Sequence, residues 1–501
     1  MSDGPPPAKK ARHTSGKPWK QSKVNKKAKA AAKAGQVTGS GDEVLQYSVV
    51  DLLGRERVEQ LAADGKDNES PFEHLQEVEV DIVALGSHGD GLGMTADKNW
   101  LVAVPFCVPG EKVQAKIYRS ARLVSHADFV RVVTPEQGPS KLRDDSLIGC
   151  KYFGQCGGCQ YQHLPYAYQL QHKRKVVQDA FRNFSKLSPE QIPEAKETIP
   201  SPDQYGYRTK LTPHFEAPPA KLSLEEKQER LAIGFEVKGR KKILDIEDCP
   251  IATSAINEKL KTERKDVYDN IEKYKRGSTL LLRHSLPPTT STDSTSADQP
   301  ICITKHSERV RERVAGKVFE FNAGSFFQNN NGILEALVNY VSAELVPTQD
   351  GAERFLVDAY CGSGLFGISL AHTFTEVQGV EISSDSVKWA KHNAELNNVK
   401  NATFITGNAE AIFENIKFPA PQTTVIIDPP RKGCDEAFLK QLVAFGPARV
   451  LYISCNVHTQ ARDVGFLVKD GAFAIDSLVG ADLFPLTYHI EGVCVLSRTS
   501  A

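Results

Sequence analysis

The sequence predicts an α/β chain in which an open, largely parallel sheet with helical crossovers follows a small β-barrel and a mixed α+β central region. Three observations carry this. From residue 332 onward, short apolar runs alternate with helical patterns, the signature of strand–helix–strand units. Between residues 77 and 133, short alternating runs are separated by Gly- and Pro-containing turns at the spacing of a small barrel. Between the two lie residues 148–325, where helix and strand patterns mix without a regular alternation.

With 501 residues the chain has room for roughly two to four domains around at least one large core. Charge balances overall, 62 basic against 62 acidic residues, but unevenly along the chain. Residues 1–35 hold nine lysines and Arg12 against Asp3 alone. Residues 1–42 therefore read as a disordered basic tail, which can follow a polyanion in a salt-dependent way or serve nuclear import. The tail has no apolar core, so it is not a secretory signal, and no stretch is apolar for long enough to span a membrane. Nucleus or cytoplasm is the expected compartment. Mitochondrial import is the weaker option, because such presequences favour arginine over lysine.

A short acidic helix is expected near 54–64. The barrel, residues 72–136, should comprise strands at 77–83, 100–106, 112–117 and 127–133, with His88-Gly89-Asp90-Gly91-Leu92-Gly93 as a tight turn. In the central region the pattern predicts a helix over 166–184 carrying Lys173, Arg174 and Lys175, and strands at 208–215, 231–236 and 279–283. The Pro/Ser/Thr run within 285–300 has no means of forming a core and reads as a surface insertion. The C-terminal domain, 326–501, should present helices at 332–345, 367–371 and 384–396. Its strands should lie at 354–358, 376–381, 403–406, 424–428 and 449–454.

Strand ends in such a sheet are where ligands sit. After the first strand, Asp358-Ala359-Tyr360-Cys361-Gly362-Ser363-Gly364 turns into a helix, and its small residues let backbone amides approach a ligand. Glu381 ends the next strand, where an acid can grip ribose hydroxyls, and Asn408 follows the third, where an amide can meet an adenine edge. Nicotinamide dinucleotide competes for this pattern. The absence of G-x-G-x-x-G and the presence of Asp428-Pro429-Pro430 favour S-adenosylmethionine. Two prolines stiffen the loop that Asp428 opens, and the next strand delivers Cys455 to the same edge. A lone cysteine is more often an apolar filler. At a strand end, followed by Asn456, Cys455 is better placed to meet substrate.

Together these segments resemble the uracil-5-methyltransferase family acting on tRNA and rRNA. Ser325-Phe326-Phe327-Gln328-Asn329-Asn330 resembles its F-x-Q-x-N element, 358–366 its cofactor loop and Asp428-Pro429-Pro430-Arg431-Lys432-Gly433 its next motif. Ser454-Cys455-Asn456 and His489-Ile490-Glu491 resemble the segments of its nucleophile and general base. The resemblance spans roughly residues 75–500 and departs at Val457, where proline is usual, and at Gly492, where threonine is more usual. It implies a Rossmann-like class I S-adenosylmethionine-dependent methyltransferase domain behind a TRAM-type RNA-binding barrel, with tRNA as partner. It further implies Cys455, Glu491 and Asp428 as catalytic residues. The residues expected to hold S-adenosylmethionine are Gln328, Asp358, Tyr360, Gly362, Gly364, Glu381, Asn408 and Asp428.

Cys150-x5-Cys156-x2-Cys159 with Cys249 supplies four thiolates, enough for a tetrahedral zinc or a cubane cluster. The resemblance favours a [4Fe-4S] cluster, a pattern of the rRNA branch. The basic tail and Ser/Thr insertion instead resemble the fungal form that makes 5-methyluridine at position 54 in the T loop of tRNA. An rRNA enzyme is the competing reading, and a non-catalytic RNA-binding or tRNA-folding protein is the competing class. No obligate protein partner is expected, and the chain is read as a monomer.

Overall fold

The computed structural model describes residues 39–135, 142–288, 299–345, 353–407, 412–413, 416–469 and 472–499. The basic tail to residue 38, the Ser/Thr run at 289–298 and Asn408 lie outside these residues.

The first ordered segment begins earlier than the sequence pattern suggests. Helix α1 (Gly41–Leu53) starts at Ser40, whose side chain accepts from the Glu43 amide, and Gly54 breaks it from α2 (Arg55–Ala63). Two helices thus stand where one was expected, because α1 is stabilised by burying Val44 and Val49 rather than by a strong local pattern.

The barrel is closed, in the order β1 (Glu77–Leu85), β2 (Asp90–Met94), β3 (Leu101–Pro105), β5 (Val124–Thr134), β4 (Lys112–Ala121). The glycine-rich stretch read as one tight turn is a turn only as far as Gly89; Asp90–Met94 is a strand. Gly93 fits this strand because a Cβ there would lie 1.9 Å from Val80 Cγ1 on the neighbouring β1. Trp100 packs with Val49, Val58 and Leu61 of the two helices, its indole N–H donating to Ser125 Oγ at 2.9 Å.

Helix α3 (Tyr166–Phe184) has the predicted ends and a buried stripe, Val176, Val177, Ala180, Phe181 and Phe184, that packs on the C-terminal domain. The expected strands of the central region appear as shorter pieces in a four-stranded and a three-stranded sheet. The hairpin Arg309–Val314/Lys317–Asn322 lies inside the stretch assigned to the central region, yet Val310, Phe319 and Phe321 share the core of the C-terminal domain.

That domain is a seven-stranded sheet. Its strands are β6 (Phe355–Ala359), β7 (Glu376–Glu381), β8 (Ala402–Thr406), β9 (Thr423–Ile427), β10 (Arg449–Ser454), β11 (Phe473–Ala481) and β12 (Glu491–Arg498). Their order is β8-β7-β6-β9-β10-β12-β11, parallel except for β12, which runs antiparallel to both neighbours. Helices α4 (Asn331–Ala343), α5 (Leu365–Leu370), α6 (Ser384–Leu396), α7 (Glu436–Phe445) and α8 (Val457–Lys469) cover its faces. The first parallel strands are almost wholly buried, as a sheet covered on both sides requires. Among the described residues no helix is long and apolar enough to cross a membrane.

A buried ion pair joins the central and C-terminal regions. Lys173 and Asp482 are both 0% exposed. The ammonium donates to Asp482 Oδ1 at 2.5 Å and to the Phe484 carbonyl at 3.1 Å, and the Tyr166 hydroxyl donates to Asp482 Oδ2 at 3.0 Å. Burial lowers the Lys173 pKa, and Asp482 opposes that shift. Lys173→Met leaves an unpaired buried carboxylate and should lose about 3–5 kcal/mol of stability, whereas pairing it with Asp482→Leu should restore much of the loss. Urea denaturation checks this: an unchanged midpoint in the single variant contradicts it.

Candidate active site

The carboxyl ends of β6, β7, β9 and β10 meet at one edge, and β12, running the other way, begins there. The loop after β6 is set by backbone geometry. Tyr360 takes φ +63°, and Gly364 takes φ +90°, where a Cβ would also lie 2.7 Å from Ile368 Cδ1. Asp358 is buried, and its Oδ2 accepts from the Gly367 amide at 2.8 Å, fixing the start of α5 from beneath. Burial pushes its carboxyl up to about 7, with Asp428 and Glu381 adding to the shift and the Gly367 amide opposing it. Glu381 accepts from Gly362 N at 3.2 Å and from Ser383 N, the N-cap residue of α6, at 2.8 Å, so it ties the loop after β6 to the start of α6. Ile382 beside it is 70% exposed, an apolar side chain facing solvent at the strand end. The Tyr360 ring lies against Phe438, centroids 5.5 Å apart.

The F-x-Q segment is stapled from both sides. Phe327 stacks on Phe321 at 4.5 Å, Asn329 Oδ1 accepts from Arg283 at 3.0 Å, and Asn330 Nδ2 donates to the Leu483 carbonyl at 3.2 Å. Between them Gln328 is buried, whereas Phe326 is 73% exposed.

Cys455 and Glu491 come together through the β10–β12 ladder. Ser454 faces Gly492, so Cys455, directly after β10, comes out beside Glu491, the first residue of the antiparallel β12. Cys455 is half-buried and Glu491 is 1% exposed. Burial pushes the Cys455 thiol up to about 11; the carboxylates of Glu491 and Asp428 add to this, and the Arg431 guanidinium, hydrogen-bonded to the thiol, opposes it. Burial and Asp428 hold Glu491 well above the usual carboxylate range, again against Arg431. Burial lifts half-buried Asp428 to about 7.

The first turn of α8 gathers these loops. Asn456 Nδ2 and Thr459 Oγ1 each donate to the Arg431 carbonyl at 3.1 Å. Gln460 Nε2 donates to the carbonyls of Tyr452 at 2.7 Å and Gly492 at 3.1 Å. Val457 and Gly492, the two departures from the family pattern, adjoin: a Cβ on Gly492 would lie 2.8 Å from Val457 Cγ1.

The four cysteines also converge. Cys150, Cys156, Cys159 and Cys249 line one cavity of about 280 Å³, whose far wall includes Phe484, Tyr488 and His489. The Gly158 amide donates to Cys156 Sγ at 3.4 Å. Burial, with repulsion from the neighbouring thiolates, pushes Cys249 up to about 12 and Cys159 higher still. Four thiols around a single cavity fit a metal–sulfur group as a donor set. Among the described residues, however, no three His, Cys, Asp or Glu side chains gather closely enough to hold a metal ion.

The structure therefore brings Cys455, Glu491 and Asp428 together and sets Asp358, Gly362, Gly364 and Glu381 around one loop. Sequence reasoning quoted Arg431 within its motif but gave it no role; its place directly after two prolines was the available signal. Gln460 and Ile382 carried none.

A sequence model of the tRNA (Uracil-5-)-methyltransferase family matches residues 293–499. The tRNA (uracil(54)-C(5))-methyltransferase of Schizosaccharomyces pombe is 45% identical over 95% of this chain and 87% of its own length. The enzyme of the same description from Saccharomyces cerevisiae is 39% identical over 91% and 81%. The crystal structure of Pyrococcus abyssi tRNA (uracil-54, C5)-methyltransferase in complex with S-adenosyl-L-homocysteine is 26% identical. It superposes with a TM-score of 0.58 over 84% of this chain and 100% of that one. With relatives this similar along most of both chains, the protein belongs to the tRNA (uracil-5-)-methyltransferase family.

Proposed function

We propose that the protein methylates C5 of the uridine at position 54 in the T loop of tRNA, through a transient covalent bond from Cys455 to the base. The observation that carries the chemistry is the meeting of Cys455 and Glu491 across the β10–β12 ladder beside Asp428. The tRNA target rests on the two fungal relatives and the archaeal structure.

C5 of uracil is too electron-poor to attack a methyl donor unaided. Cys455 Sγ adds to C6, its thiolate stabilised by Arg431, and the C5–C6 electrons become an enolate. C5 then bonds to the methyl group, which S-adenosylmethionine would supply by cleavage of its sulfonium–methyl bond, leaving S-adenosylhomocysteine. Glu491 takes the C5 proton, the C5–C6 double bond re-forms, and the Cys455–C6 bond breaks to release thiolate and 5-methyluridine. Asp428 and Gln328 hold the uracil by hydrogen bonds, Gln328 also lying near the cofactor. Gly362 and Gly364 would allow S-adenosylmethionine close backbone approach, Asp358 and Tyr360 would shape the loop around it, and Glu381 would bind its ribose; Asn408, read as the adenine contact, lies outside the described residues. Such a pocket admits the base only when it leaves its stack. Exposed Phe326, beside Gln328, offers a ring for an unstacked neighbour. The closed barrel serves as a TRAM-type module for the same RNA, and the lysine-rich tail adds phosphate contacts.

For Cys150, Cys156, Cys159 and Cys249 the reading is a [4Fe-4S] cluster. Only one C-x2-C pair is present, Cys156 and Cys159, whereas a zinc ribbon usually pairs two such knuckles. Methyl transfer needs no electrons, so such a group braces the wall formed by Phe484, Tyr488 and His489, just before Glu491.

The function is tested by incubating full-length protein with tRNA and rRNA and mapping the product by mass spectrometry. 5-Methyluridine should form at position 54 of tRNA and be lost in Cys455→Ala; methylation confined to rRNA, or persisting in Cys455→Ala, contradicts the reading. For the cluster, anaerobically purified protein should carry about four irons and four acid-labile sulfides, falling in Cys156→Ser. One zinc and no sulfide decides against it.

A further inference from the structure

Gln460 is fully buried on the first turn of α8, where its own amide donates to the Asn456 carbonyl at 3.1 Å. Its side-chain nitrogen reaches two different strands: the Tyr452 carbonyl, three residues before Cys455, and the Gly492 carbonyl, directly after Glu491. Among the described residues its Oε1 has no hydrogen-bond partner and points into the space above Gly492. A Cβ at 492 would lie 2.3 Å from that oxygen. Glycine is therefore the socket that lets the amide reach both carbonyls.

The two strands do not need this tether equally. β10 is paired on both sides, with β9 and β12, as β12 is with β10 and β11. But the Tyr452 carbonyl stands three residues before Cys455, whose junction is held further by the Asn456 amide on Ser454 Oγ, whereas the Gly492 carbonyl adjoins Glu491 directly. Glu491 is the first residue of β12, at the point where the loop from β11 enters the sheet. A carboxylate at a strand's first residue swings with the peptide that follows it, and Gln460 holds the carbonyl of that following residue.

We propose that Gln460, seated on Gly492, is a positioning residue that sets Glu491 for removal of the C5 proton while leaving the attack by Cys455 largely untouched. This rests on the reading of Cys455 as nucleophile and Glu491 as base. General-base catalysis is sensitive to such placement: a displacement of about 1 Å costs on the order of 10²-fold in rate. Gln460→Leu removes both hydrogen bonds at similar volume. Gly492→Ala keeps Gln460 but fills its socket.

The test separates the two halves of the reaction in the full chain. With tRNA containing 5-fluorouridine, C5 carries no proton to abstract, so formation of the covalent adduct reports the Cys455 and methyl-transfer steps alone. With ordinary tRNA, product release reports Glu491. In Gln460→Leu, adduct formation on fluorinated tRNA should stay within about threefold of wild type. Turnover on ordinary tRNA should fall by roughly 10–100-fold, with covalent enzyme–tRNA accumulating, as is also expected when the base itself is removed in Glu491→Gln. Gly492→Ala should show the same split, and adding Gln460→Ala to it should relieve the clash and recover part of the turnover. Equal losses in both assays, in proportion to folded protein, would make Gln460 a structural residue only and overturn the proposal, as would unimpaired turnover in both variants. Failure of wild type to form the adduct would instead remove the Cys455 reading on which the proposal stands.

Discussion

The arrangement depends on how little positive charge is available where the sheet edge brings its acids together. Glu491 and Asp358 are buried, Asp428 is half-buried, and the thiol of Cys455 lies among them. Arg431, reaching in from an exposed loop, is the cation that opposes the shifts of both Cys455 and Glu491. Burial thus raises the thiol of Cys455 and the carboxyls of Asp358, Asp428 and Glu491 together, and Arg431 pulls Cys455 and Glu491 the other way. The rigid Asp428-Pro429-Pro430 turn and the two bonds to the Arg431 carbonyl place that guanidinium.

The second constraint is mechanical. The segment from Asp482 to Ile490 leads into Glu491, and the central region grips it with Lys173 and Tyr166 on Asp482 and Tyr207 on the Pro485 carbonyl. Gln169 accepts from the Leu486 amide at 3.2 Å. The cysteine cavity abuts the same segment. Glu491 thus hangs from two supports, the central region on one side and α8 of the C-terminal domain on the other, which gives the large middle region a part in holding the site.

Local pattern sufficed for α3, β7, α6 and β10, whose ends match the sequence reading because apolar periodicity and caps lie within each segment. Motifs located Cys455, Glu491 and Asp428 for the same reason: their neighbours in sequence mark them. What the sequence withheld was decided by distant partners. Glycine is needed at position 93 of a strand because the Val80 side chain of neighbouring β1 fills the space beside it. Lys173 sits beside Arg174 and Lys175 on a basic helix, and only packing makes it the fully buried one. Gln460 resembles any polar residue of a helix until β12 is laid against β10. Val457 and Gly492, read one at a time, looked like unrelated departures; in space they form one contact region with Gln460.

The claim that Arg431 is what makes Cys455 usable is tested most directly by the pH dependence of its alkylation. Iodoacetamide labelling of the Cys455 peptide, followed by mass spectrometry in the RNA-free protein, measures the thiolate without turnover. With the thiol pushed up to about 11, the rate should climb steadily with pH through the alkaline range. At pH 8 it should be on the order of 10²-fold slower than for an unperturbed cysteine. Arg431→Leu removes the opposing charge, so the midpoint should move higher and the rate at pH 8 should drop further. A midpoint near that of free cysteine in wild type, or one that stays in place when Arg431 is removed, would contradict the account.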